Sequence, residues 1–138
     1  MTEKHLLLTN QQFEEKFKNC TLSPVLFTHE AHLRLAYIHI KKYGLAKAIK
    51  NLCHQISTFD KTFGDGTKFN KTVTIAATKV VYHFINKSKS VDFRGMIEEF
   101  PRLKSNFLGL IKSHYTLDIF NDKKAKRVYL EPDLLPFS

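Results

Sequence analysis

His29 and His32 stand three residues apart in the stretch FTHEAHLRLAY, and His39 follows further along the same run. On a helix, residues at i and i+3 are surface neighbours, so the rings of His29 and His32 can converge on one point. Imidazoles placed this way can ligate a metal ion, or can accept and release a proton for a bound substrate. A position near a helix N-terminus favours the neutral ring through the helix dipole, which suits either role. The structural alternative is a hydrogen-bonded pair that only secures the start of the helix.

A metal centre needs three or four ligands, and the sequence offers no HExxH, no HxH and no aspartate cluster. On a helical wheel His29 falls within about 40° of the apolar stripe, and His32 lies on its flank. His39 falls further round and reads as half exposed, while Glu30 points away from the core. His54 sits on a polar side, His83 is off its helix's stripe, and His114 lies in a loop-like segment. The expectation is no metal and no other cofactor. Further along, Asn70 and Thr74 in FNKTVTIA lie one turn apart near an inward edge, with Thr72 turned away. Polar groups at helix starts are commonly caps, and that is the commoner reading of such residues.

The elements that must hold these residues read as helices throughout, judged by apolar spacing. A first helix starts at Thr9, where TNQQ offers a Thr-x-x-Gln capping box. A second runs from Thr28, an N-cap, through Leu33, Ala36, Tyr37 and Ile40 to Gly44. A third covers Leu45 to about Phe59, and DKTFGDGTKFN (60–70) reads as a loop. The fourth carries Val73, Ala76, Ala77, Val80, Val81 and Phe84 at unbroken helical spacing, which argues against a strand over VTIAATKVVYHF. Shorter helices are expected over 91–100, 103–111 and 121–127. VYLEPDLLPF, with two prolines, reads as an extended strap. The fold class is therefore all-α: a single-domain helical bundle over 1–138 with an extended C-terminal strap. Leu33, Ala36, Ile40, Ile49, Leu52, Ile56, Val73, Ala77, Val80, Val81 and Phe84 are its expected core.

The composition agrees. At 138 residues and 43% apolar, with twelve Phe, the chain can bury a sizeable core. No apolar run approaches the ~18 residues of a membrane span. MTEKHLLLTNQQ holds too short an apolar run for a secretory signal, so the expected location is cytoplasmic. Cys20 and Cys53 form no CxxC pair and are expected as free thiols. The net charge is +9. Its lysines are spread, and the densest run, NDKKAKR, has no interleaved aromatic. An anionic small molecule therefore fits better than nucleic acid, and nothing in the sequence specifies an oligomeric state.

FTHEAHLRLAY, then FNKTVTIA, then HYTLDIF with AKRVYLEPDLLP together resemble a family of small uncharacterised bacterial proteins. Its pattern is F-x-H-x-x-H-L-x-x-A, then H-E-T-x-T, then Y-S, L-x-S-x-x-A-R and F-x-x-P-D-L-x-P. Phe27, His29, His32, Leu33 and Ala36 match the first block; Thr72 and Thr74 match the second. Tyr115, Ala125, Tyr129, Pro132, Asp133, Leu134 and Pro136 match the third in place or kind. Asn70 and Lys71 stand where the family has His-Glu, Thr116 follows Tyr115 where it has Ser, and Lys126 replaces its Arg. A metal or acid-base site built on that His-Glu pair is lost in this chain.

The resemblance implies an architecture and a pocket, not a reaction. Two functions stay open. One is a small-molecule enzyme with a histidine-lined pocket for an anionic ligand, with His29 as general base and His32 beside it. Asn70, Thr74 and Tyr115 would orient the substrate. The other is a non-catalytic ligand- or partner-binding module with the family's site eroded.

Overall fold

The computed structural model describes residues 3–137, and among these every regular element is a helix. Packing divides the chain into two compact units, Met1–Phe69 and Asn70–Ser138.

The first unit contains a 3-10 turn at Lys4–Leu7 and α1 (Asn10–Lys18), then a second 3-10 turn at Pro24–Leu26. α2 (His29–Tyr43) and α3 (Leu45–Phe63) follow. α1 starts on the capping box read from TNQQ. Thr9 Oγ1 accepts from Gln12 N at 3.1 Å, and Gln12 Oε1 accepts from Thr9 N at 2.9 Å. The Thr28 hydroxyl caps α2 by accepting from Ala31 N at 3.2 Å. Gly44 ends α2 at φ +85°, a left-handed conformation that costs glycine nothing, and α3 begins at the next residue. α3 runs four residues beyond the expected Phe59. Thr58 and Thr62 return their hydroxyls to the carbonyls of His54 and Thr58, and Phe63 packs on Phe59 with centroids 4.8 Å apart. Asp60 then receives the backbone N–H groups of Lys68 and Phe69, which closes the loop.

The core of this unit is aromatic. Phe13 and Phe17 have no exposed surface, and Phe17 stacks on Phe59 at 4.7 Å. α2 is buried along nearly its whole length and on nearly every side, from Leu33 to Ile40 without interruption. Leu52 of α3 is buried as expected and Ala48 joins it, whereas Ile49 and Ile56, also expected in the core, are half-buried.

The second unit contains α4 (Lys71–Lys87), α5 (Phe93–Glu99), α6 (Arg102–Ser105), α7 (Phe107–Lys112) and α8 (Lys123–Arg127). Its apolar face on α4 is turned from the expected stripe: Ile75, Ala76, Val80, Val81 and Phe84 are buried, while Val73 and Ala77 are half-buried. The single helix expected over 103–111 is broken at Asn106. The Asn106 amide lies where a Cβ on Gly109 would stand, 2.5 Å from its Oδ1. The C-terminal segment from residue 129, expected as an extended strap, has no regular structure and bends at 133–135; side-chain and backbone hydrogen bonds hold it in place. The Thr72 hydroxyl donates to Val128 O at 2.8 Å and accepts from Leu130 N at 3.1 Å. Asp133 Oδ1 accepts from Thr116 N at 2.8 Å, and Leu134 N donates to His114 O at 3.0 Å. Thr72 was expected to turn away; it is fully buried because it anchors this strap.

Candidate functional site

His29 is the first residue of α2, and His32 lies one turn on; both are exposed. The wheel aligned His29 with the apolar stripe, but the helix reaches solvent at its first turn. The His32 ring stacks on Phe27 with centroids 3.7 Å apart and planes 21° from parallel. Phe27 packs in turn on Phe17 at 4.5 Å and Phe59 at 5.2 Å, so three phenylalanines form a shelf under the imidazole. The Thr28 hydroxyl also donates to the Glu3 carboxylate, which fixes the residue preceding the pair. Crowding by surrounding protein, and then the neighbouring His29, push the His32 pKa down to about 4. More than a third of the residue remains open to water, which solvates a charged ring and moderates that fall. At neutral pH the His32 ring is uncharged.

Asn70, Thr74 and Tyr115 belong to the second unit, where two of them have structural duties. Asn70 spends both ends of its amide: Oδ1 accepts from Val73 N at 3.0 Å as the α4 cap, and Nδ2 donates to Ile119 O at 2.8 Å. The buried Tyr115 hydroxyl donates to Leu130 O at 2.8 Å. Burial, with Tyr129 beside it, holds that phenol far above its ordinary pKa, so it stays a neutral donor. Thr74 is half-buried on the first turn of α4.

A polar cluster that the sequence pattern did not reveal joins the N-terminal segment to α2. His5 is fully buried, with Nε2 2.8 Å from Glu30 Oε2 and 3.5 Å from Glu3 Oε1. Glu30 was expected to face away from the core; it is 8% exposed because α2 is enclosed on that side too. Arg34, one turn on, donates to His5 O at 2.6 Å, Leu8 O at 2.7 Å and Asn10 Oδ1 at 3.0 Å. Glu3, His5 and Glu30 place three potential ligand atoms within 4.8 Å of one another. The hydrogen-bond network nevertheless argues against a cation there. Arg34 Nη1 lies 3.4 Å from His5 Nδ1. Guanidinium only donates, so Nδ1 must accept and Nε2 carries the ring proton toward Glu30. A metal would need the Nε2 lone pair, and a metal-bound histidine gives its other N–H to an acceptor rather than facing a donor. The cluster reads as a latch between the N-terminal segment and α2. The spacing of Glu30 and Arg34, i and i+4, was its one signal in the sequence.

His39, expected half exposed, has no exposed surface at all. Its Nδ1 is 3.4 Å from Asn51 Nδ2 on α3, and its ring lies 5.3 Å from that of Tyr43. Its Nε2 is buried with no hydrogen-bond partner among the described residues. Nearby, Glu14 of α1 accepts from Lys42 Nζ at 3.0 Å and from the Tyr43 hydroxyl at 2.5 Å. Burial raises the Glu14 carboxyl, but these two donors outweigh it and leave the pKa below its ordinary value.

No protein-family model, curated protein or solved structure matches the chain. No helix among the described residues is long and apolar enough to cross a membrane.

Proposed function

We propose that the chain binds a small anionic molecule at the start of α2, with His29 and His32 as its polar contacts. The observation that carries this reading is the exposed histidine pair on the first turn of a 15-residue helix, with His32 stacked on Phe27 and held neutral. The first N–H groups of a helix favour an anion, and the net charge of +9 attracts one. A general base works best with a pKa near the working pH. A lowered His32 is therefore better suited to holding a ligand than to moving its proton, which favours the non-catalytic module. The enzymatic reading has His29 as general base with His32 beside it. Its support is that His29 is near enough to disfavour a positive charge on His32. The location we propose is a reducing compartment such as the cytoplasm, since two cysteines 33 residues apart with no CxxC pair offer no disulfide framework.

The test is a titration with inorganic phosphate, and separately acetate, followed by NMR of the histidine rings. Saturable shifts at His29 and His32, lost in His29→Ala while the helical circular dichroism persists, support the site. Absence of saturation into the millimolar range overturns it, and unfolding of His29→Ala shows that His29 is structural.

A further inference from the structure

We propose that His39 is an acid-operated release in the first unit: its protonation in mildly acidic solution frees α1 and α3 from α2. The geometry leaves a neutral His39 one unmatched nitrogen whichever way the Asn51 amide is turned. If Asn51 donates, Nδ1 accepts and a buried Nε2–H has no acceptor. If the amide is turned over, Nδ1–H donates and a bare Nε2 is left. A second proton turns both nitrogens into donors and puts a positive charge where Nε2 has nothing to donate to. A buried charge without a hydrogen-bonded partner is far more costly than a buried neutral ring.

The groups around the ring do not offset that charge. From α1 the facing group is Glu14, whose attraction favours protonation, but its two oxygens already serve Lys42 and Tyr43. From α2 itself Lys42 opposes protonation. From α3, Asn51 is uncharged and Lys47 lies over the Tyr43 ring at 5.3 Å. Burial is the largest influence and holds the His39 pKa below its ordinary value. The charged ring is stable only where it reaches water, and separation of α1 and α3 from α2 provides that. Because the folded value lies below the unfolded one of about 6.5, the stabilisation is complete above pH ~6.5 and is lost as the pH falls through the folded value.

Urea unfolding of the full chain between pH 7.5 and 4.5 tests this. Release of one proton on folding makes the unfolding constant grow by up to about tenfold for each pH unit lowered. His39→Leu, which keeps the volume and cannot be protonated, is expected to lose this one-proton share and to retain the share contributed by His32, while exposed His54→Gln keeps both. Parallel pH profiles for wild type and His39→Leu overturn the proposal. If His39→Leu does not fold, His39→Gln carries the same comparison. In wild-type protein, His39 ring signals are expected to titrate together with loss of the α1 and α3 amide signals. Titration at an ordinary midpoint inside an otherwise unchanged spectrum overturns it.

Discussion

Thr72→Val tests whether the C-terminal strap is fastened by one hydroxyl. Valine matches threonine in shape, so no cavity opens, and the change is confined to hydrogen bonding. The Thr72 hydroxyl donates to Val128 O at 2.8 Å and accepts from Leu130 N at 3.1 Å. A hydrogen bond contributes about 1 kcal/mol net, whereas a buried group left unmatched costs about 1–3 kcal/mol. Val128 is 46% exposed, so its carbonyl can turn to water at little cost. Leu130 is only half exposed, and its N–H bears most of the loss. The expected destabilisation is therefore about 1–2 kcal/mol by urea denaturation, with about tenfold faster hydrogen exchange at Leu130 N–H. Tyr115→Phe removes the other bond to Leu130, the 2.8 Å contact to its carbonyl. If the strap detaches as a unit, the double variant costs less than the sum of the two singles. A change under about 0.3 kcal/mol with unaltered Leu130 exchange would refute the clamp.

Arg34→Met removes the donors to His5 O and Leu8 O and leaves Glu30 beside an unsupported His5. The loss is expected at about 3 kcal/mol, with exchange rising first at residues 5–10, and a thermal midpoint equal to wild type would count against the latch. Phe84→Ala, at a residue 5% exposed on α4, should cost about 3 kcal/mol in urea unfolding; a near-zero cost would mean that the α4 face is misassigned. The His32 ring should titrate in NMR below the ordinary 6.5, depressed by crowding and by His29. Its folded value is depressed, so its contribution to stability is present above pH 6.5 and fades as the pH falls toward 4, and a midpoint above 6 contradicts this reading.

Features set by adjacent residues were legible in the sequence. The Thr9–Gln12 box, the Thr28 cap and Gly44 each rest on contacts within four residues, and all stand where the spacing put them. The end of α3 was not legible, because DKTF carries turn-forming residues whose helical state depends on the Thr58 and Thr62 back-bonds and the Phe59–Phe63 contact. A wheel assumes one buried face, and α2 has almost no exposed one. Glu30, Arg34 and His39 were therefore assigned to solvent or left aside. Their partners lie 25, 29 and 12 residues away in sequence, and no local spacing encodes such pairings. Thr72 misled for the same reason: its bonds run to residues 56 and 58 positions further on.

The five residues grouped from the sequence separate by their exposure. Asn70 and Tyr115 are committed to Val73, Ile119 and Leu130, and a ligand would have to displace those bonds. His29 and His32 alone among the five keep more than a third of their surface open to solvent. Recognition by this set therefore rests on the start of α2, and the neutral state of His32 defines its form. An uncharged imidazole offers an anion one N–H and no Coulombic attraction, so the contact is a hydrogen bond rather than an ion pair. A neutral donor of similar reach should then serve equally well. His32→Gln is expected to hold phosphate within about threefold of wild type, and His32→Leu to weaken it by about tenfold, since a hydrogen bond contributes about 1 kcal/mol. Phosphate titration followed at the His29 ring measures both. Equal losses in the two variants would mean that His32 acts through charge or through stacking on Phe27, and the hydrogen-bond account would fail.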